Sequence, residues 1–141
     1  MYGKAVALGL LLLTLPGITD ARKTEPAMEA VVERVVDGDT IKVTLIGDMP
    51  ELFKEESIRL RHCDTPEKHD PRPDVAALAI QATDYTASRI APGQHITLHE
   101  VGFDKYGGRL LADVEVDGIN LCRALIDSGL AHPYEGGKKD W

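Results

Sequence analysis

The chain lacks the basic excess that tight, sequence-independent binding of a nucleic-acid duplex usually brings. Its 16 lysines and arginines face 23 aspartates and glutamates, for a net charge of −7. It has only two cysteines, Cys63 and Cys122, without CxxC spacing, which makes a poor zinc signal. Those two could pair in an oxidising compartment, or stand as separate buried thiols. No His/Cys cluster has metal-ligand spacing, no internal repeat or low-complexity tract occurs, and no apolar run reaches the ~20 residues a spanning helix needs. At 141 residues the chain is the length of one domain.

What is present begins with a leader-like pattern. Lys4 precedes an apolar run at 5–15, Pro16-Gly17 breaks it, and the small Ala21 follows. This reads as a secretory signal cleaved after residue 21, with a membrane anchor disfavoured by the short run. Its removal takes away Lys4 and Asp20, one charge of each sign, so the balance stays at −7. Residues 22–29 read as a polar lead-in, 30–135 as the folded domain, and 136–141 as a flexible tail whose Trp141 can dock on the barrel. About 110 residues suffice for one modest core.

Period-two alternation predicts strands at 31–36, 40–45, 57–63, 94–100 and 109–116. Asp37-Gly38 and Asp117-Gly118 are turn signals, since both positions tolerate φ > 0. Between the third and fourth strands, 75–90 is Ala-rich, with Ala76, Ala79, Ile80, Thr83, Ala87 and Ile90 near helical spacing and Asp74 as N-cap. A second helix is predicted over 121–128, capped by Asn120 and ended by Gly129. Five short strands with a helix after the third predict a mainly β (α+β) fold: a five-stranded OB-type Greek-key barrel with two to three helices, whose ligand sites fall on one face and in adjoining loops.

The chemistry gathers at strand ends. Asp39 follows the first turn and Asp64 ends the third strand. Two carboxylates plus a backbone carbonyl form a hard, oxygen-rich cation site that suits calcium. Either aspartate alone would be an ordinary turn residue. Arg59 and Asp64 are five apart, so on an ideal strand they point to opposite faces, and a bulge or turn must re-aim one of them. Glu67, just after Pro66, could accept a proton from water. Arg59 and Arg109 could clamp a phosphate through planar, bidentate hydrogen bonds. Arg61 and His62 read as strand residues, Arg61 solvated. His95 and His99 share one strand face as solvated or packed side chains.

Taken in order, VVDGDTIKV, IRLRHCDTPE, DKYGGRLLADVEVDG and LIDSGLA resemble the staphylococcal nuclease (thermonuclease) family over about residues 31–134. The resemblance implies an OB barrel and a calcium-dependent phosphodiesterase acting on DNA and RNA. By position, the calcium (Ca2+) ligands would be Asp39, Asp64 and the carbonyl of Thr65. Glu67 would be the base or water-orienting acid, Arg59 and Arg109 the phosphate-binding arginines, and Lys105, Tyr106 and Tyr134 the nucleotide contacts. The family's substrate is nucleic acid; the leader-like pattern adds that the protein is secreted or periplasmic with no lasting membrane association after cleavage, and a monomer is expected. In the family, Arg commonly follows Gly directly in D-x-Y-G-R. Here Gly108 intervenes, and the turn is expected to absorb it. The acidic surface would narrow the substrate to short or single-stranded nucleic acid. The alternative is a non-catalytic OB module that binds nucleic acid or protein. Such modules show gaps at the acid and arginine positions, and this chain has none.

Overall fold

In the computed structural model, which describes residues 26–141, β1 (Met28–Asp37) turns Ala30 and Val32 into the core while Glu29 and Arg34 face water. It starts inside the stretch read as a polar lead-in. The signal-like segment 1–21 lies outside the described residues. β2 (Thr40–Ile46) buries Ile41, Val43 and Leu45 by the same alternation. β3 (Glu55–Leu60) buries Ile58, Arg59 and Leu60 in succession, because this strand is covered on both faces. β5 (His95–Phe103) and β6 (Leu110–Val116) complete the wall. The short β4 (Cys63–Asp64) comes between β3 and β5 in sequence order, and the short β7 (Ile119–Asn120) and β8 (His132–Pro133) follow β6.

Pairing runs β3-β2-β1-β5-β6, each antiparallel, and a parallel β3–β6 pairing closes the ring. The result is a closed, mixed, five-stranded barrel with two α-helices, the OB-type architecture the strand pattern predicted. Ile41, Ile58, Leu60, Ile96, Leu98 and Val114 fill it, and none is more than 2 % exposed. The loop before β3 carries one 3₁₀ turn, Glu51–Phe53.

Several local expectations are corrected. The third strand was expected to run unbroken to Cys63. It stops at Leu60, and His62 sits at φ 69°, a left-handed conformation outside the extended region. The first turn lies one residue later than predicted: Asp37 pairs with Thr40, so Gly38 and Asp39 form the turn. Gly38 is there for closeness, since a Cβ on it would come within 2.7 Å of the Ala82 Cβ. Asp117 and Gly118, at φ 50° and 75°, do form the expected turn. Helix α1 (Pro73–Arg89) begins with Pro in its first turn, so the cap position falls to Arg72. Asp74 lies within that first turn and makes no capping hydrogen bond. The helix buries Val75, Ala79, Ala82 and Thr86, whereas Ile80 and Ala87 are exposed. In helix α2 (Leu121–Asp127) the Asn120 side chain accepts from the Arg123 N–H at 2.9 Å, as expected of a cap. Gly129 follows at φ 72°.

Candidate active site

The interruption of the strand at Arg61-His62 is what lets one site form. It ends β3 and restarts the chain as β4, so the five-residue offset no longer holds Arg59 and Asp64 apart. Arg59 Nη2 donates to Asp64 Oδ1 at 2.6 Å and lies 3.5 Å from Asp39 Oδ2. All three side chains are nearly buried.

Asp39 is placed from two sides. The Thr65 N–H donates to its Oδ2 at 3.1 Å and the Thr40 hydroxyl to its Oδ1 at 3.1 Å. Its turn is seated on α1, where the buried Thr86 hydroxyl donates to the Gly38 carbonyl at 2.7 Å. Asp64 is placed by β4 pairing with β8, which sets it opposite His132. A disulfide between Cys63 and Cys122 ties β4 to α2, with the Cα atoms 5.7 Å apart, which decides between the two readings of those cysteines.

Burial, the largest influence, pushes the Asp64 carboxyl above its ordinary value. Lys139 pulls it down, the like charge of Asp39 pushes it up, and Arg59 pulls it down. Asp64 Oδ2 is buried without a hydrogen-bond partner. An orphaned buried oxygen of this kind is costly unless something takes its lone pairs. The donor set therefore fits a hard cation: two converging carboxylates, one with a free oxygen, and the backbone of Thr65 beside them. No group of three or more His, Cys, Asp or Glu side chains able to hold a metal occurs among the described residues. The remaining donors would be backbone carbonyls and water.

Glu67, in the loop after β4, is largely exposed and accepts from Lys139 Nζ at 2.8 Å. Lys139 also reaches Asp64 Oδ1 at 3.1 Å. It was unforeseen, and so was Asp104, which accepts from Arg109 Nε. Burial pushes the Asp104 carboxyl up, but the hydrogen bonds from Arg109 and the Tyr106 N–H outweigh it and hold the carboxyl below its ordinary value. The loop 104–109 closes through backbone bonds from Asp104 N to Arg109 O and from Gly107 N to Asp104 O. Gly107 and Gly108 both take left-handed φ, 73° and 75°, so the extra glycine is accommodated inside the loop. Spacing alone could have suggested Asp104, an acid opening a Gly-Gly turn before an arginine.

A cleft of about 240 Å³ opens beside the acid pair, lined by Arg59, Lys105, Tyr106, Tyr134, Arg61 and Phe103 among others. Arg59 thus faces both the carboxylates and the cleft. Phe103 and Tyr106 are strongly exposed, at 88 % and 79 %. Arg61, expected to be solvated, is half-buried, with an unpartnered Nε and with Nη2 lying where a Cβ on Gly102 would come within 2.8 Å. The expected residues thus fall into three groups. Asp39, Asp64, Thr65 and Arg59 touch directly. Glu67 joins them through Lys139. Lys105, Tyr106 and Tyr134 line the cleft, whereas Arg109 is not part of its lining and is tied to Asp104, which is.

A closed five-stranded barrel with buried acids bridged by an arginine at its strand ends, beside an aromatic cleft, defines the class: an OB-type barrel with a charged site at its strand ends. The family described as "Staphylococcal nuclease homologue" matches residues 57–140, and the chain belongs to it. The chain is similar to "SPbeta prophage-derived endonuclease YokF" of Bacillus subtilis (strain 168), 35% identical over 117 residues, 79% of this chain and 37% of that protein. It is similar also to "Endonuclease YncB" of the same organism, 32% identical over 128 residues, 87% of this chain and 57% of the relative. The chain thus spans about a third to just over half the length of these two curated relatives.

Proposed function

We propose that this protein is an exported, calcium-dependent nuclease that hydrolyses phosphodiester bonds in DNA or RNA. The observation that carries the reading is Arg59: one guanidinium lies against both buried aspartates and lines the cleft where a phosphate would enter. The endonuclease names of the relatives point the same way. Export is supported by the leader-like pattern and by the disulfide, which persists in oxidising compartments. Among the described residues, no helix is long and apolar enough to cross a membrane.

In this reading Asp39, Asp64 and the Thr65 carbonyl hold calcium. When bound, the ion supplies positive charge that stabilises a phosphate whose charge is growing. The chain's own residues do the rest. Arg59 and Arg109 donate N–H groups to the non-bridging phosphate oxygens, where planar forks fit best. Glu67 takes a proton from the water that attacks phosphorus. The bond from phosphorus to the leaving sugar oxygen breaks, and that oxygen takes a proton from solvent. Lys105, Tyr106 and Tyr134 hold the neighbouring nucleotide, the aromatic rings stacking on bases. Stacking needs unpaired bases, which together with the acidic surface favours single-stranded substrate.

The test is digestion of single-stranded DNA by the purified protein, with calcium and with chelator, beside calcium titration calorimetry. We expect cleavage only with calcium, and one binding site that Asp39→Ala weakens. Equal calcium binding by Asp39→Ala would refute the ligand assignment. Binding of the DNA without cleavage at any calcium concentration would favour the non-catalytic module.

A further inference from the structure

The segment after β8 does not trail into solvent. Gly136 and Gly137, at φ 100° and 92°, turn it back, and the Tyr134 hydroxyl donates to the Gly137 carbonyl at 3.0 Å. From there exposure alternates: Lys138 and Asp140 are exposed, while Lys139 and Trp141 turn inward. Lys139 Nζ sits between Asp64 Oδ1 at 3.1 Å and Glu67 Oε1 at 2.8 Å. Trp141 fixes the far end. Its ring stacks on His132 with centroids 3.7 Å apart and planes within 5°, and its Nε1–H donates to the Asp64 carbonyl at 3.0 Å.

These contacts put a cation of the chain itself on one proposed metal ligand and on the proposed base. We propose that residues 136–141 form a strap that competes with the metal: Lys139 neutralises Asp64 and occupies Glu67, and a divalent cation entering the site displaces it. The proposal rests on reading Asp39 and Asp64 as metal ligands. Its chemistry is simple exchange. An ammonium group offers one charge to Asp64 Oδ1 and cannot also reach the orphaned, buried Oδ2, whereas a divalent ion offers two charges and accepts several oxygen donors. The ammonium therefore bridges a buried and an exposed carboxylate without satisfying the site, which leaves it replaceable. Displacement would also free Glu67 to accept a proton, so one event would fill the metal site and release the base. Trp141 gives the strap a defined seat, and its stack on His132 sits directly across the β4–β8 pair from Asp64.

Trp141 is the chain's single tryptophan, so it reports on the strap without labelling. Calcium would be titrated into the full chain, read by calorimetry and by acrylamide quenching of Trp141 emission. In the parent protein we expect quenching to rise with calcium and to follow the calorimetric isotherm. In Lys139→Met we expect calcium to bind about tenfold tighter, the loss of one charge-assisted competitor. Lys138→Met, which removes an exposed charge from the same strap, should bind as the parent does. Quenching that stays flat while calcium binds would overturn the strap's release and leave the metal reading standing. So would equal calcium affinity in the parent and Lys139→Met, or equal tightening in Lys138→Met. Absence of calcium binding in both the parent and Lys139→Met would overturn the metal reading, and the strap with it. The quenching measurement needs no variant, so it decides the matter even if a substitution disturbs folding.

Discussion

Arg59 and Arg109 are held very differently for two residues expected to share one task. Arg59 is 9 % exposed and set against two carboxylates, while Arg109 is half-buried and tied to Asp104 alone. Removing Arg59 would leave two buried acids with less compensation, which is costly whatever the chemistry. Removing Arg109 releases only Asp104. For both, the chemical step should suffer more than binding, since oriented donors count most where charge develops. We expect Arg59→Lys and Arg109→Lys each to lower single-turnover cleavage of a short single-stranded oligonucleotide by ~10²–10³ at saturating calcium, because lysine lacks the planar fork. Arg59→Lys should also lower the unfolding midpoint, and Arg109→Lys should barely move it. Glu67→Gln should slow turnover without weakening calcium binding. Should Arg109→Lys cleave at the parent rate, Arg109 does not reach the phosphate, and Lys105 or Arg61 in the cleft wall becomes the second cation.

The elements that carry the site are turns and breaks in strands, and each is fixed by a contact distant in sequence. Gly38 shows this. With a Cβ it would meet Ala82 Cβ at 2.7 Å and Thr65 Cγ2 at 3.0 Å, so Gly38→Ala must push the Asp39 turn off α1. We expect a loss of about 1–3 kcal/mol in urea unfolding, as for other overpacked contacts, together with weaker calcium binding. Unchanged values for both would mean that α1 gives way at no cost. His62 gives the second test at this scale. Burial lowers its pKa, but its hydrogen bonds to the Glu100 and Glu135 carboxylates, at 2.8 and 2.7 Å, outweigh that and raise it above 6.5. A raised folded pKa contributes stability that is complete below the unfolded value and is lost as pH rises through the folded one. The thermal midpoint of the parent should therefore exceed that of His62→Gln most at roughly pH 5.5 and least at roughly pH 8.5. The opposite trend would mean that the ring is held neutral. These same elements explain what the sequence could tell. The alternation that marks strands is local, so all five barrel strands and the barrel type were legible. The break at His62 was not, because its left-handed backbone is imposed by partners on β5 and beyond β8. The helix was legible, but not its buried face, since an alanine-rich helix has several apolar stripes and only the turn at Gly38 selects one. Arg59, Asp39 and Asp64 could be singled out by residue type, and Lys139 could not, because its contact with Glu67 joins residues 72 apart.

At the scale of the whole molecule, a chain of net charge −7 sets three of its 16 lysines and arginines, Arg59, Arg61 and Lys105, around one cleft. That arrangement depends on β4 staying against the barrel, and β4 is only two residues long. Two residues pairing with two cannot hold Asp64 by backbone hydrogen bonds alone. Four further ties act on it: Arg59 and Lys139 on the side chain, Trp141 on the carbonyl, and the disulfide from Cys63 to Cys122. The disulfide spans a sequence separation of 59, for which loop closure gives about 4 kcal/mol of stabilisation. Such a tie acts mainly on the unfolded chain. Neither sulfur takes part in the proposed chemistry, and both cysteines are nearly buried within the hydrophobic core. We therefore expect the Cys63→Ser, Cys122→Ser protein to unfold at distinctly lower denaturant, yet to cleave single-stranded DNA with calcium at close to the parent rate under conditions where it is folded. Folding would be checked by near-ultraviolet circular dichroism at the temperature of the assay. Loss of cleavage in a variant that is folded by that criterion would mean that β4 needs the disulfide to present Asp64, and that Arg59, Lys139 and Trp141 are too weak to hold it alone.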